Sequence, residues 1–169
     1  GAYLLKGHEA QQVTQLVIKD GHVVGDWVGK DGAAILKAAG INPPSGTKGS
    51  IMQVAFEHPL VKIEQMLPVL PIVTVKDFSE GQRLAFAAEQ GFGHTAIIHS
   101  RDVERIAVFA RKMSTTIVVA NAPSFASLGI EGNSSFAHTI ASPTGEGICG
   151  PRTYTRQHNV TIAGGLGLA

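Results

Sequence analysis

The sequence predicts an α/β fold built on a mostly parallel sheet, and two observations predict it. Four brief apolar runs of strand length, "SIMQVAF", "LPIVTV", "TAIIHS" and "TTIVVAN", follow one another through the middle of the chain. Between the second and third stands the amphipathic segment "FSEGQRLAFAAEQG", and between the third and fourth stands "RDVERIAVFARKM". Short buried strands alternating with amphipathic helices mark βαβ units. Connections of that kind are right-handed.

The elements follow in order. Residues 7–18 have helical spacing, with Val13, Leu16 and Val17 on one side. A Gly/Asp break at Asp20 and Gly21 leads into "HVVGDWVGKDG". The stretch "DGAAILKAAG" reads as a short helix with Asp31 as its N-cap and Gly40 at its C-terminus. "NPPSGTKG" is a loop by its Pro, Gly and Asn content. The first amphipathic segment sets Leu84, Ala85 and Ala88 on one face, and the second repeats Val103, Ile106, Ala107 and Ala110 at helical spacing. After Asn121 the texture changes to Gly-, Ser- and Pro-rich loop, a feature that in a compact domain goes with function or disorder. "RTYTRQHNVTIAGG" then alternates like a strand, outside the βα rhythm.

Composition narrows the function classes. With 169 residues, 44% of them hydrophobic and 16% charged, the chain is long and apolar enough to bury a core as one globular domain. Fourteen basic residues against 13 acidic ones leave a net charge of +1, and no Lys/Arg cluster forms a stripe for nucleic acid. No apolar run reaches membrane-spanning length, and "GAYLLKGHEA" lacks the core of a signal peptide. A single cysteine, Cys149, leaves no internal disulfide and fits a reducing cytoplasm.

The chemistry-bearing motifs are few. The histidines form no H-x-x-x-H pair, no C-x-x-C is present, and His94 and His99 point to opposite faces of a strand, so no metal centre is expected. There is no G-x-S-x-G elbow, and the glycine-rich pieces complete neither a dinucleotide fingerprint nor a P-loop. Two residues stand out. Glu64 sits at the mouth of the apolar run 63–75, either solvated at a strand entrance or positioned in a pocket, because unpaired glutamates are rarely buried. His94 follows a Gly-x-Gly turn and opens a strand. It is either a loop histidine bonded to backbone or a proton-transfer group at a sheet edge.

Four stretches, "DWVGKDGAAILKAAGI", "EHPLVKIEQMLPVLPIVTV", "GFGHTAIIHSRDVERIA" and "SPTGEGICGPRTYTRQ", together resemble the CoA-acylating aldehyde dehydrogenases of propanediol and ethanolamine utilisation. They lie in the family's order and span nearly the whole chain. The resemblance implies a C-terminal fragment: residues 1–150 as part of the thiol-bearing catalytic domain, with its parallel sheet and flanking helices, and 151–169 as the oligomerisation strand and tail. The family's nucleophilic cysteine and nucleotide-binding domain lie upstream, Cys149 does not match that cysteine, and the fragment alone is expected to be inactive.

In the wider superfamily a glutamate in a Glu-x-x-Gly-Pro pattern meets the nicotinamide ribose. Here the matching piece is Glu64-Gln65-Met66-Leu67-Pro68, with Leu67 in place of the glycine. The resemblance therefore implies that Glu64, Met66 and Pro68 bind NAD, with the Glu64 carboxylate partly buried and facing the cofactor. His94 matches the Gly-His-Thr signature of the acylating branch and is implied to handle a proton near the thioester and CoA. Asn121, Ser124 and Phe125 match the lining of the aldehyde pocket, and Gly145 and Gly147 match a structural turn.

The family reaction has a thiolate attack a short aliphatic aldehyde, hydride pass to NAD and CoA displace the acyl group. The implied partners are the aldehyde and further copies of the chain, joined through the C-terminal strand. The implied location is the cytoplasm or a bacterial microcompartment lumen. Two alternatives stand beside this reading: a non-catalytic assembly or binding module of dehydrogenase-like fold, and a CoA-independent hydrolytic aldehyde dehydrogenase.

Overall fold

A computed structural model of the chain describes residues 1–129 and 151–164. These form two compact units, Gly1–Ala88 and Glu89–Ala169. The boundary expected at 150/151 adjoins residues outside the described set, as do Gly145, Gly147 and Cys149.

The first unit runs β1 (Ala2–Leu4), α1 (Gly7–Val17), β2 (Ile18–Lys19), β3 (His22–Val23), a 3-10 turn (Gly25–Trp27), α2 (Gly32–Ala38), β4 (Gly49–Gln53), α3 (Pro59–Lys62), β5 (Val69–Ile72) and α4, which spans Phe78–Glu89. Its sheet has the order β1-β4-β5 and is parallel throughout, with Leu4 opposite Ile51 and Ile51 opposite Leu70. The core gathers Val13 and Val17 of α1, Ile35 and Leu36 of α2, Met52 of β4 and Val69 of β5, with Leu5, Ala10, Ile41 and Leu60. Helix α1 turns its i, i+4 pair Val13/Val17 into that core, as its sequence period requires.

Two glycine positions are sterically determined. Gly40 has φ +79°, and the N–H groups of Gly40 and Ile41 reach back to the carbonyls of Lys37 and Leu36, which closes α2 with a left-handed C-cap. A Cβ on Gly32 would stand 2.5 Å from the Lys48 carbonyl oxygen, so only glycine lets the start of α2 approach β4 this closely.

The first strand and the β2–β3 hairpin are additions to the sequence reading. Asp20 and Gly21, at φ 51° and 77°, form the two-residue turn between Lys19 and His22. Asp-Gly is the signature of that turn, but its flanking strands are two residues each, too short for alternation to show. At β1, three residues acquire strand character only because β4 pairs with them.

The second unit contains β6 (Thr95–Ile98), α5 (Val103–Met113) and β7 (Ile117–Ala120), a βαβ unit whose strands pair in parallel from Thr95↔Ile117 to Ile98↔Ala120. Further 3-10 turns cover Ser124–Leu128 and Pro151–Tyr154. Asp102 caps α5 by accepting from the N–H groups of Glu104 and Arg105 at 3.0 and 3.1 Å.

On α5, Ile106, Ala107 and Ala110 are half-buried as expected, and Val103 departs from that face. Phe109 and Met113 are buried, while Val103 is 76% exposed. The Cα–Cβ bonds of a helix tilt toward its N-terminus, so a first-turn side chain projects past the strands it would otherwise cover. Leu84, Ala85 and Ala88 do share one half-buried face of α4, where they line an apolar groove with Phe56, Val73 and Val75. The alternating stretch after Tyr154 is not a strand: residues 155–164 pair with none among the described residues and are exposed throughout. A ladder needs a partner, and period-2 patterning alone supplies none.

Candidate functional site

In the first unit the candidate cofactor residues lie on the loop between α3 and β5. Helix α3 is set by His58 and Pro59. The His58 Nδ1 accepts the Leu60 N–H at 3.3 Å, and Pro59 occupies the first turn, where its missing N–H costs nothing. The loop is then tied at three points. Gln65 Nε2 donates to the Leu60 carbonyl (3.1 Å), the Met66 carbonyl accepts from the Gly29 N–H (3.2 Å), and the Pro68 carbonyl accepts from the Ser50 N–H (2.9 Å). A Cβ on Gly49 would lie 2.9 Å from that Pro68 oxygen.

With its backbone held, the loop turns side chains outward. Met66 is 74% exposed, Pro68 is half-buried, and Glu64 is exposed with no hydrogen-bond or ion-pair partner among the described residues. The expected partial burial of Glu64 is therefore corrected: the apolar run begins to enter the core at Val69, and Glu64 precedes that point on a turn facing solvent. The neighbouring Lys62 ammonium stands over the Phe56 ring, 3.4 Å from its centroid.

A cleft of about 440 Å³ opens in the same unit between α1 and the segment after β4, lined in part by Gln11, Thr14, Gln53, Glu57 and His58. The Thr14 hydroxyl donates to the Ala10 carbonyl (2.7 Å), so at its 3.2 Å contact with His58 Nε2 the threonine accepts and the imidazole donates. Nδ1 is already an acceptor. Both nitrogens thus specify the neutral Nε2–H tautomer, and burial pushes the His58 pKa down. Nothing in the sequence marked His58, because Thr14 lies 44 residues away. A second polar anchor joins β1 to α1: Glu9 accepts from the Tyr3 hydroxyl (2.9 Å) and the Lys6 N–H (2.7 Å). The Lys6 N–H above all holds the Glu9 pKa below the usual carboxylate value.

In the second unit His94 is exposed at the start of β6. Its backbone is fixed from several sides. Both oxygens of Glu89 accept backbone N–H groups of the preceding turn, from Gly91 and from Gly93. The Gly93 carbonyl accepts from Thr116 N–H (2.9 Å) and the His94 carbonyl from Ile117 N–H (3.1 Å). Gly91 and Gly93 have φ of 83° and 67°, a turn that needs glycine. The His94 Nδ1 contacts Thr95 Oγ1 at 2.6 Å, which leaves Nε2 facing outward.

Asn121 closes β7 in the left-handed region at φ 57°. Its N–H donates to the Ile98 carbonyl, its Oδ1 accepts from the Ser100 N–H, and its Nδ2 donates to the Ser100 carbonyl, each at 2.8 Å. Ser124 and Phe125 follow on the 3-10 turn, both exposed, above the buried Ile117, Val119 and Ala126. Strands β6 and β7 are parallel. His94 therefore stands at their N-terminal end and Asn121, Ser124 and Phe125 at their C-terminal end, about 13 Å away at ~3.3 Å per residue. The structure brings the last three together and leaves His94 apart from them. Among the described residues no three His, Cys, Asp or Glu side chains cluster to hold a metal ion.

The sequence and the fold both resemble those of known proteins. A sequence model of the aldehyde dehydrogenase family matches residues 46–134. The propanal dehydrogenase (CoA-propanoylating) of Citrobacter freundii is 37% identical over 169 residues, 99% of this chain and 37% of that protein. Among solved structures, a propionaldehyde dehydrogenase from the Clostridium phytofermentans fucose utilisation bacterial microcompartment superposes with a TM-score of 0.88 at 38% identity, covering 92% of this chain and 36% of that one. An engineered glycolyl-CoA reductase with bound NADP+ gives 0.82 at 40% identity, covering 88% and 34%. The chain spans little more than a third of the length of these relatives. On its sequence and its fold, this chain belongs to the aldehyde dehydrogenase family.

Proposed function

We propose that this chain forms part of the catalytic domain of an NAD-dependent, CoA-acylating aldehyde dehydrogenase that converts a short aliphatic aldehyde to its acyl-CoA. The nucleophilic cysteine and the nucleotide-binding domain belong to parts of the whole protein beyond these 169 residues, and the chain alone is inactive. The similarity to a CoA-propanoylating dehydrogenase and to a CoA reductase holding NADP+ supports the substrate and cofactor classes.

The observation that carries the reading is the presentation of His94: a backbone fixed by Glu89, Thr116 and Ile117, and a ring whose Nε2 faces outward. NAD, when bound, takes up the hydride, and CoA takes up the acyl group. Around that chemistry His94 Nε2 gives or accepts the proton, a task suited to imidazole near neutral pH. Glu64 fits the ribose, because its two carboxylate oxygens have no protein partner among the described residues and match adjacent hydroxyl donors. Met66 and Pro68 continue that contact on the same tethered loop, whose fixed backbone lowers the ordering cost of binding. Ser124 and Phe125 line the aldehyde pocket, with Asn121 beside them.

In the whole protein, residues 155–164 add as a strand to another copy of the chain. Their exposed Val160 and Ile162 alternate as one face of such a strand would. The microcompartment origin of a structural relative supports the same location here.

The test is NADH formation by the whole protein from propanal, with and without CoA. NADH that requires CoA is expected. NADH formed equally well without CoA would assign the hydrolytic branch, and no NADH under either condition would leave an assembly module.

A further inference from the structure

We infer that Asn121 is a positioning residue that locks two turns together at the C-terminal end of the β6–β7 pair. The inference rests on the pocket reading given above and deepens it. Two observations carry it. Three groups of Asn121 are committed within the fold: its N–H to Ile98, its Oδ1 to the Ser100 N–H, and its Nδ2 to the Ser100 carbonyl. A carboxamide bonded at both ends to one residue's backbone has its plane fixed by that residue. Its φ of 57° is a conformation that asparagine tolerates better than most residues, so the sequence accepts a strained backbone in order to aim the side chain.

The clamp continues beyond Ser100. The Ser100 hydroxyl accepts the Asp102 N–H at 3.1 Å, and Asp102 caps α5 through Glu104 and Arg105. Asn121 thus fixes the turn after β6 and the start of α5 relative to the turn that carries Ser124 and Phe125. Ligands of parallel α/β sheets bind at this end of the strands. A pocket wall made of two turns keeps its shape only if the turns keep their spacing. Asn121 sets that spacing, and Ser124 and Phe125 supply the surface.

The experiment uses the whole enzyme and compares kcat/KM for propanal with kcat/KM for hexanal. The ratio is independent of how much enzyme is folded, so a merely structural loss leaves it unchanged. Asn121→Gly keeps the left-handed backbone and removes the clamp. It should change the ratio by roughly fivefold in the same direction as Phe125→Ala, part of the ~10- to 200-fold that a fitted pocket gives per methylene. Asn121→Asp retains the acceptor for the Ser100 N–H and should fall between wild type and Asn121→Gly. Amide exchange at Ser100 should also quicken about tenfold or more in Asn121→Gly, on the scale of one to two lost hydrogen bonds.

An unchanged ratio in Asn121→Gly beside an altered one in Phe125→Ala would overturn the positioning role. An altered ratio with unchanged Ser100 exchange would overturn the clamp as its cause. A wild-type enzyme that oxidises neither aldehyde would sink the functional reading instead, and exchange at Ser100 would still decide whether the clamp exists.

Discussion

The two units solve the same problem, a short parallel ladder flanked by helices, with different materials. In the first, Val13, Val17, Ile35 and Met52 are fully buried and Leu36 is at 1% exposure. In the second, no side chain among the described residues is so deep: Phe109, Met113, Ile117, Val119 and Ala126 lie between 5% and 8%. What that second core lacks in depth is supplied by polar ties, from Glu89 to the turn before β6 and from Asn121 through Ser100 to Asp102. A deep apolar core resists deformation because its packing is dense and its vacancies cannot be filled by water. Hydrogen-bonded turns each contribute about 1 kcal/mol and sit at the surface, where a ligand can reach the residues they orient. The candidate catalytic and pocket residues lie on the unit built the second way, which accords with function residing on loops held by a scaffold.

The largest effect that tests this contrast is cavity creation. Ile35→Ala should destabilise the first unit by about 2–5 kcal/mol, the range for deleting a fully buried branched side chain. Unfolding can be followed by fluorescence of Trp27, the single tryptophan, which packs against that core. Ile117→Ala, the same deletion in the second unit, should cost clearly less, read by amide exchange in β6 and β7 because Trp27 reports the first unit. Equal losses would erase the distinction between the units.

A smaller effect is expected at the polar ties. Asp102→Ala removes the acceptor for the Glu104 and Arg105 N–H groups and should cost about 1 kcal/mol, typical of a lost N-cap. Amide exchange at the start of α5 should speed up while Trp27 unfolding stays unchanged. A shift in the tryptophan transition would show that the units do not respond separately.

The smallest effect is acidic destabilisation of the first unit through His58. Its folded pKa lies below the unfolded value of 6.5, so the unfolded chain binds the proton first. The stability it contributes is present above pH 6.5 and is lost as pH falls through the folded pKa. The Trp27 transition should therefore move to lower denaturant on acidification below pH 6.5, and His58→Gln should flatten that dependence. Glu9 acts in the same direction at lower pH, because its folded pKa lies below 4.5. An unchanged slope in His58→Gln would remove His58 as the cause.

Local signals in the sequence were sufficient for the long elements. Helices α2, α4 and α5 and strands β4 to β7 follow from apolar period and from punctuation by Asp31, Gly40 and the Gly-rich turns, because each is decided by residues near in the chain. The site was legible only in part. The sequence carries the identity of Glu64, His94, Asn121, Ser124 and Phe125, and the order of its motifs carries the family.

Partnership was decided by tertiary structure alone. That Glu64 faces solvent, that the Asn121 amide is committed to Ser100, and that the His58 Nε2–H finds its acceptor at Thr14 all depend on residues brought together from distant positions. The three-residue β1 exists because β4 lies beside it, and residues 155–164 form no strand because nothing among the described residues does the same for them. Period and propensity are properties of neighbouring residues, whereas the satisfaction of a polar group or a strand edge depends on what the fold sets against it.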